Sequence, residues 1–129
     1  MITGIHHIAL RCHGLEQYNR AVHFYCDLLG LKMYKQWGGG DACSCMLNTG
    51  AGCMEIFSNG TEDLPHGKLQ HVAFATDNVD ELVEKVRAEG FEITHEPADV
   101  VIPTAEGYPV RVAFCIGAAG EEVEVFTEK

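Results

Sequence analysis

Two histidines and two glutamates recur at matched places in the two halves of this chain. His7 is the third residue of Ile-His-His-Ile-Ala-Leu, and His71 is the third residue of Leu-Gln-His-Val-Ala-Phe. Glu55 and Glu124 each lie in a later apolar stretch of the same half. Imidazole and carboxylate suit borderline divalent cations, and four such ligands leave positions open for water or substrate on a six-coordinate metal. The repeat therefore predicts a metal site formed by His7, Glu55, His71 and Glu124.

Each of these residues alone has an ordinary structural explanation, since a strand histidine is often a hydrogen-bonded core residue. The repetition of both residue types in the same order favours the metal. His6 competes with His7, but successive strand residues point to opposite faces, so only one can be a ligand. Alignment of the two halves pairs His7 with His71 and His6 with Gln70, which selects His7. The remaining histidines are predicted to be surface residues: His13, His23, His66 and His95.

The elements that position these residues follow the same order in each half. Residues 5–11 alternate as a strand, which puts His7, Ala9 and Arg11 on one face. Residues 15–29 carry an apolar stripe with helical spacing, formed by Leu15, Tyr18, Val22, Tyr25 and Leu29, and Gly30 follows as a C-terminal cap. Further strands are predicted at 31–37, 43–48 and 52–58, and residues 59–68 read as a linker.

The second half begins with a predicted strand at 69–75. Asn78 and Glu81 form a capping-box pattern for a helix that ends before Gly90. Strands are predicted at 91–95, 110–116 and 121–127, whereas residues 100–108 are either a short strand followed by a loop or a loop throughout. The order β-α-β-β-β thus occurs twice, as module 1 at about 1–60 and module 2 at about 67–129 of one domain, 1–129. A single module leaves an open sheet face, so pairing of two modules is expected.

Composition narrows the function further. Nine basic and nineteen acidic residues give a net charge of −10, which disfavours nucleic acid and anionic membranes as partners. No apolar run is long enough to span a membrane, and no signal-peptide pattern opens the chain, so a cytoplasmic location is expected. The six cysteines are then expected to be reduced and structural. Neither a phosphate-binding loop nor a nucleophile elbow is present in the sequence.

These features together resemble the vicinal-oxygen-chelate superfamily, which includes glyoxalase I, extradiol dioxygenases, and fosfomycin- and bleomycin-resistance proteins. The resemblance covers essentially the whole chain. It rests on the two histidine strands, the segment Ala-Val-His-Phe-Tyr at 21–25, the Leu-Gly-Leu at 29–31 and the Glu124 strand. It implies an α+β fold in which two tandem βαβββ modules form a curled mixed sheet around the metal. The family's metal positions fall on His7, Glu55, His71 and Glu124.

Within this superfamily the chain is most similar to glyoxalase I (lactoylglutathione lyase), because Glu55 matches the second ligand of that branch. Arg11 and Asn59 fall where glyoxalase I binds the γ-glutamyl end of glutathione. The resemblance implies a divalent metal, with nickel or cobalt favoured and zinc as an alternative. It also implies that Glu124 is the catalytic base with Glu55 as its partner, that the substrate is a small-molecule hemithioacetal of methylglyoxal, and that homodimers share their active sites. The turn at 117–120, Gly-Ala-Ala-Gly, departs from the usual glyoxalase I sequence.

Two alternative functions stay open at this level. Another metal-dependent enzyme of the superfamily, such as an acyl-CoA epimerase, would also abstract a proton beside a carbonyl. The nine Lys and Arg residues disfavour it, since a CoA phosphate tail needs basic partners. The second alternative is a metal-free antibiotic-binding resistance protein, a class that generally lacks the four ligands.

Overall fold

The order β-α-β-β-β, repeated once, organises the residues described by the structure, a computed structural model covering 7–63, 71–102 and 107–129. The chain divides into two compact units, Met1–Pro65 and His66–Lys129. The first unit contains β1 (His7–His13), α1 (Gly14–Val22), a π-helical turn (His23–Leu28), β2 (Lys32–Trp37), β3 (Ser44–Asn48) and β4 (Cys53–Gly60). The second contains β5 (Val72–Ala75), α2 (Val79–Ala88), β6 (Ile93–Ile102), β7 (Tyr108–Ile116) and β8 (Glu122–Glu128).

Each unit has one four-stranded mixed sheet, and the two sheets have equivalent strand orders. In the first unit the order is β1-β4-β3-β2, and in the second it is β5-β8-β7-β6. The first strand pairs in parallel with the last in both units, and the other neighbours are antiparallel. The predicted α+β class and the doubled β-α-β-β-β order are confirmed.

One face of the first sheet is covered by α1, which packs on β1 and β4. Strand alternation places Cys12, Cys45, Leu47 and Ile56 in this buried layer, and Tyr18 of α1 contacts Cys45 there through a side-chain hydrogen bond. The alternate residues of β1, which include His7 and Arg11, are on the other face and are exposed. The fold of the first unit therefore separates a packed face from a face that carries the candidate site.

The first helix differs in one respect from its predicted stripe. Tyr18 and Tyr25 are buried as expected, but Leu15 is exposed, and Ala21 and Phe24 are buried in addition. Leu15 and Ala21 lie in α1, before the π-helical turn at His23–Leu28. The turn accounts only for the burial of Phe24 beside Tyr25, because its wider winding shifts the phase of the residues within it.

The second helix follows its sequence signals closely. Asn78 accepts a hydrogen bond from the Glu81 backbone N–H at 3.1 Å, and its side-chain amide donates to the Glu81 carboxylate at 3.2 Å. Val79, Val83 and Val86 are buried against the sheet, and the helix ends before Gly90. At the surface, Arg111 of β7 binds Asp80 of α2 and Asp99 of β6, which ties the helix to the sheet edge.

Two strand boundaries differ from prediction. β6 runs without interruption through residue 102, with register irregularities between Ile93 and Ala98 where Pro97 lacks an N–H donor. β4 runs through Gly60, so Asn59 belongs to a strand rather than to the linker. The reason is that β1 extends to His13, which pairs with Gly60. Predictions for residues 1–6, 64–70 and 103–106 lie outside the described residues.

Across the described ranges, no helix combines the length and the apolar character needed to cross a membrane. The six cysteines are free, and Cys12, Cys45 and Cys115 are buried. Burial raises the pKa of the Cys45 thiol and raises the pKa of Cys115 to about 12, so both pack as neutral thiols.

Candidate functional site

In the first unit, His7 and Glu55 are brought together by the parallel pairing of β1 with β4. Ala9 is the register partner of Glu55, so His7 lies two residues earlier on the same face of β1. The His7 Nε2 atom is 3.4 Å from a carboxylate oxygen of Glu55. The Glu55 side chain is only 12% exposed, whereas His7 is 41% exposed. The Glu55 carboxylate is thus largely shielded from solvent, while the His7 imidazole remains accessible.

The second unit repeats this arrangement. Ala73 is the register partner of Glu124, and His71 lies two residues before Ala73. The distance from His71 Nε2 to a Glu124 carboxylate oxygen is 3.0 Å, with side-chain exposures of 35% and 11%. The offset between histidine and glutamate is the same in both units, so the duplication seen in sequence is also a duplication of side-chain geometry.

Glu124 has a perturbed ionisation. Burial raises the pKa of the Glu124 carboxyl above its ordinary value, the positive charge available on His71 lowers it, and the nearby Glu122 adds to the rise. A buried carboxylate next to a histidine is a stronger proton acceptor than one in water, because the charged form is less well solvated.

The donors of each pair fit a divalent metal. Imidazole nitrogen and carboxylate oxygen bind zinc-like ions at about 2.0 to 2.2 Å, which puts two adjacent ligands about 3 Å apart. The observed separations of 3.4 and 3.0 Å are of this size. Among the described residues, no group of three or more His, Cys, Asp or Glu side chains is placed to hold a metal. Each unit therefore offers two donors, and the four-ligand site stays a prediction.

Arg11 and Asn59, the predicted substrate-binding residues, are in direct contact. Arg11 donates a hydrogen bond from Nη1 to the Asn59 side-chain oxygen at 3.0 Å. Its guanidinium also lies over the Phe57 ring, 5.4 Å from the centroid. Because Arg11 is two residues after Ala9 on β1, the pair lies on the same sheet face as His7 and Glu55.

Several aromatic residues of these faces were not predicted from the sequence. Trp37 contacts Phe57 edge to face, with ring centroids 6.4 Å apart. In the second unit, Phe114 is the register partner of Glu124 and contacts the His71 ring at 5.4 Å. Phe114 also contacts His95 at 5.3 Å, so this histidine lies nearer the candidate site than its predicted surface role implied. Alternation along β7 could have placed Phe114 on this face, but its partners depend on strand register.

The other histidines lie away from the two pairs. His13 is 3.7 Å from Asp63, and His23 is 2.7 Å from Asp27 on the same helical turn. Both side chains are more than two-fifths exposed, which agrees with their predicted surface positions. His66 lies outside the described residues.

Comparison with known proteins supports one family. The sequence profile described as Glyoxalase/Bleomycin resistance protein/Dioxygenase superfamily matches residues 4–120. No curated protein matches the chain by sequence.

Similar folds occur in several solved structures. A fosfomycin resistance protein, FosX, from Listeria monocytogenes, solved with Mn(II) and sulfate, has a TM-score of 0.74 at 19% identity, covering 100% of this chain and 95% of its own. The trypanothione-dependent glyoxalase I of Leishmania major has a TM-score of 0.69 at 22% identity, covering 94% and 84%. A glyoxalase family protein from Enterococcus faecalis has a TM-score of 0.69 at 20% identity, covering 97% and 98%. At these identities the likeness establishes the fold.

Proposed function

Because the chain belongs to the glyoxalase/bleomycin resistance protein/dioxygenase superfamily, we propose that it is a metal-dependent lyase of the glyoxalase I type. The reaction isomerises the hemithioacetal of methylglyoxal and a glutathione-like thiol to a 2-hydroxyacyl thioester, which detoxifies methylglyoxal. The observation that carries this proposal is the pair of His–Glu contacts, 3.4 Å and 3.0 Å long, at the same register in both units.

The proposed metal ligands are His7, Glu55, His71 and Glu124. Their two nitrogens and two oxygens suit nickel or cobalt, with zinc as an alternative, and the proposal requires the two pairs to meet within one chain or across a homodimer. When bound, such an ion acts as a Lewis acid that stabilises negative charge developing on the two neighbouring oxygens of the substrate.

Glu124 is proposed as the base. Its carboxylate removes the proton from the carbon that bears the sulfur and returns it to the adjacent carbon, while the hydroxyl proton passes from the oxygen on the first carbon to the oxygen on the second. Substrate and product are therefore isomers, and the atoms balance. Low exposure and a raised pKa support this role, because both make the carboxylate a better proton acceptor. Glu55 is proposed as its partner on the opposite face of the substrate.

Arg11 and Asn59 are proposed to bind the carboxylate end of the thiol. Their hydrogen bond fixes the guanidinium, and the contact with Phe57 covers one of its faces while leaving N–H groups directed outward from the ring. A guanidinium held in this way pairs well with a carboxylate, since its planar donors match two carboxylate oxygens.

Metal content and turnover test the proposal together. Protein purified without chelator should contain about one metal per site, and the stripped protein should regain lyase activity with nickel or cobalt. His71→Ala should lose most of the metal and the activity. His23→Ala is the matched control, because His23 also contacts a carboxylate, Asp27, but lies on the helix.

Two results would contradict this function. Full metal retention in His71→Ala would remove the proposed ligand set. Absence of turnover with every metal tested would favour an epimerase if acyl-CoA is processed, or an antibiotic-binding protein if the chain binds no metal.

A further inference from the structure

Arg11, Phe57 and Trp37 form a continuous row across the first sheet, which we name the aromatic row. Arg11 is the register partner of Phe57, Phe57 pairs with Ser44, and Ser44 pairs with Trp37. The Arg11 guanidinium is 5.4 Å from the Phe57 centroid, and the Phe57 and Trp37 centroids are 6.4 Å apart. Thus β1 supplies the cation, β4 and β2 supply the two aromatic rings, and Ser44 of β3 lies between the strands that carry the rings.

The aromatic row lies on the same face as the His7–Glu55 pair. Glu55 precedes Phe57 by two residues in β4, so the row and the carboxylate are about 7 Å apart along the strand. Trp37 is 43% exposed, a large apolar surface to leave in water. A ligand lying along the row would therefore cover an exposed indole and pass within about 7 Å of Glu55.

The charge of Arg11 is uncompensated within the described part of the chain. No carboxylate there lies within ion-pairing distance of it, although the protein has a net charge of −10. Arg87 and Arg111, by contrast, each contact two carboxylates. The Arg11 side chain is instead oriented by a neutral amide and an aromatic face, which leaves donors for an external anion.

We propose that the aromatic row binds an aromatic carboxylate, with the carboxylate on Arg11 and the ring on Trp37. The distance between the guanidinium carbon and the indole centroid cannot exceed the sum of the two measured contacts. With three methylene groups between ring and carboxylate, the ring centroid and the carboxylate carbon are about 6 Å apart. The contacts of the carboxylate with the guanidinium and of the ring with the indole, each about 4 to 5 Å long, cover the remainder. Glutathione offers a carboxylate but no ring, so the aromatic row favours a thiol that carries an aryl group near its carboxylate.

This inference rests on the proposed function only in treating the ligand as part of the lyase substrate. Binding of an aromatic carboxylate is measurable on metal-stripped protein, without turnover. If the chain binds the probe but isomerises no hemithioacetal, the proposed lyase activity is refuted and the proposed binding by the aromatic row stands. If the chain is an active lyase but does not bind the probe, only the proposed binding by the aromatic row is refuted.

The probe is 4-phenylbutanoate, titrated into the full chain at pH 7. Trp37 is the only tryptophan, so its fluorescence reports directly on the row. Saturable quenching is expected, and ligand-observed NMR gives the same dissociation constant. 4-Phenylbutanamide, which lacks the charge, should bind about tenfold more weakly, the usual contribution of one charge-assisted contact. Butanoate, which lacks the ring and therefore its contact with Trp37, should also bind about tenfold more weakly.

Four variants distinguish the contribution of the ligand's carboxylate from that of its ring. Arg11→Gln should weaken 4-phenylbutanoate about tenfold and leave the amide unchanged, whereas Arg87→Gln should change neither. Trp37→Leu should weaken 4-phenylbutanoate binding in the NMR titration about tenfold, whereas Tyr34→Leu, at another exposed aromatic of the same strand, should not change it. If Trp37→Leu fails to fold, Trp37→Phe keeps a ring and should retain part of the affinity.

Equal binding of the carboxylate and the amide to the wild-type chain would overturn the assignment of Arg11. Unchanged affinity in a folded Trp37→Leu or Trp37→Phe protein would overturn the assignment of Trp37. Absence of saturable binding by both methods would overturn the proposal as a whole.

Discussion

Glu55 and Glu124 occupy equivalent register positions, but their surroundings differ. Glu55 is flanked across the sheet by Ala9 and Met46, and Glu124 by Ala73 and Phe114. The Phe114 ring also contacts His71, so the second pair is packed against an aromatic side chain. Burial raises the pKa of Glu124, which is the physical basis for proposing it as the base.

Replacement of one carboxylate oxygen of Glu124 tests whether this residue, rather than Glu55, is the base. Glu124→Gln keeps an oxygen ligand and the shape of the side chain but removes the basic carboxylate. Metal should largely remain, while turnover falls by about two to four powers of ten, the usual contribution of a positioned general base. Glu55→Gln should lose less turnover than Glu124→Gln. The measurements are turnover and solvent deuterium incorporation at the carbon next to the thioester.

The comparison between the two variants is informative in either direction. Equal losses in Glu55→Gln and Glu124→Gln would mean that the glutamates share the proton transfer on opposite faces of the substrate. Unimpaired turnover in Glu124→Gln would end its assignment as base.

At the level of elements, the parallel pair of β1 and β4 positions the first half of the site. Gly60 lies at the end of β4, where a Cβ atom would be 2.5 Å from the carbonyl oxygen of Cys12. The register shifts between Arg11 and His13, and pairing resumes where His13 meets Gly60, directly after Asn59. The absence of a side chain at Gly60 therefore allows the strands to stay close where Arg11 and Asn59 meet.

Gly60→Ala should separate the ends of these strands. A backbone contact cannot yield as a flexible side chain can, so we expect a loss of about 1 to 3 kcal/mol in the free energy of unfolding. Gly39→Ala is the matched control, because its added Cβ would meet no described atom within 4 Å. Its effect should stay within about 0.5 kcal/mol. Urea denaturation of both variants measures the difference, and equal midpoints would contradict this explanation.

At the level of the whole molecule, each unit contains one His–Glu pair, and we propose a homodimer whose sites are shared between chains. A symmetric dimer creates two equivalent sites when the first module of one chain meets the second module of its partner. Light scattering at micromolar concentration should then report a dimer. Fully active monomers would refute the arrangement.

Mixing two inactive variants tests the sharing itself. His7→Ala and His71→Ala chains should each be inactive alone. If sites are shared, half of the dimers formed after random exchange are mixed, and each mixed dimer holds one intact site. About a quarter of wild-type activity should therefore return, by the statistics of a twofold assembly. If each site is formed within one chain, no activity returns.

Much of this architecture is determined by local sequence patterns. Period-two alternation places His7 and Arg11 on one face of β1, and the Asn78–Glu81 signal begins α2 where it is observed. The internal repeat relates His7 to His71 and Glu55 to Glu124, and the structure shows one histidine–glutamate contact in each half. The choice of His7 over His6 as a metal ligand stays a prediction. These features depend on residues close together in the chain or on comparison of its two halves, and both are visible in the sequence.

Only the tertiary structure determined how distant strands are aligned. The offset that places His7 two residues before the partner of Glu55, and the row from Arg11 through Phe57 to Trp37, both depend on strand register. The extension of β6 through residue 102 likewise depends on pairing with β7, which continues beyond Pro97. The hydrophobic pattern and the turns restrict the register, but the pattern of one strand alone does not give its offset from a strand far away in the chain.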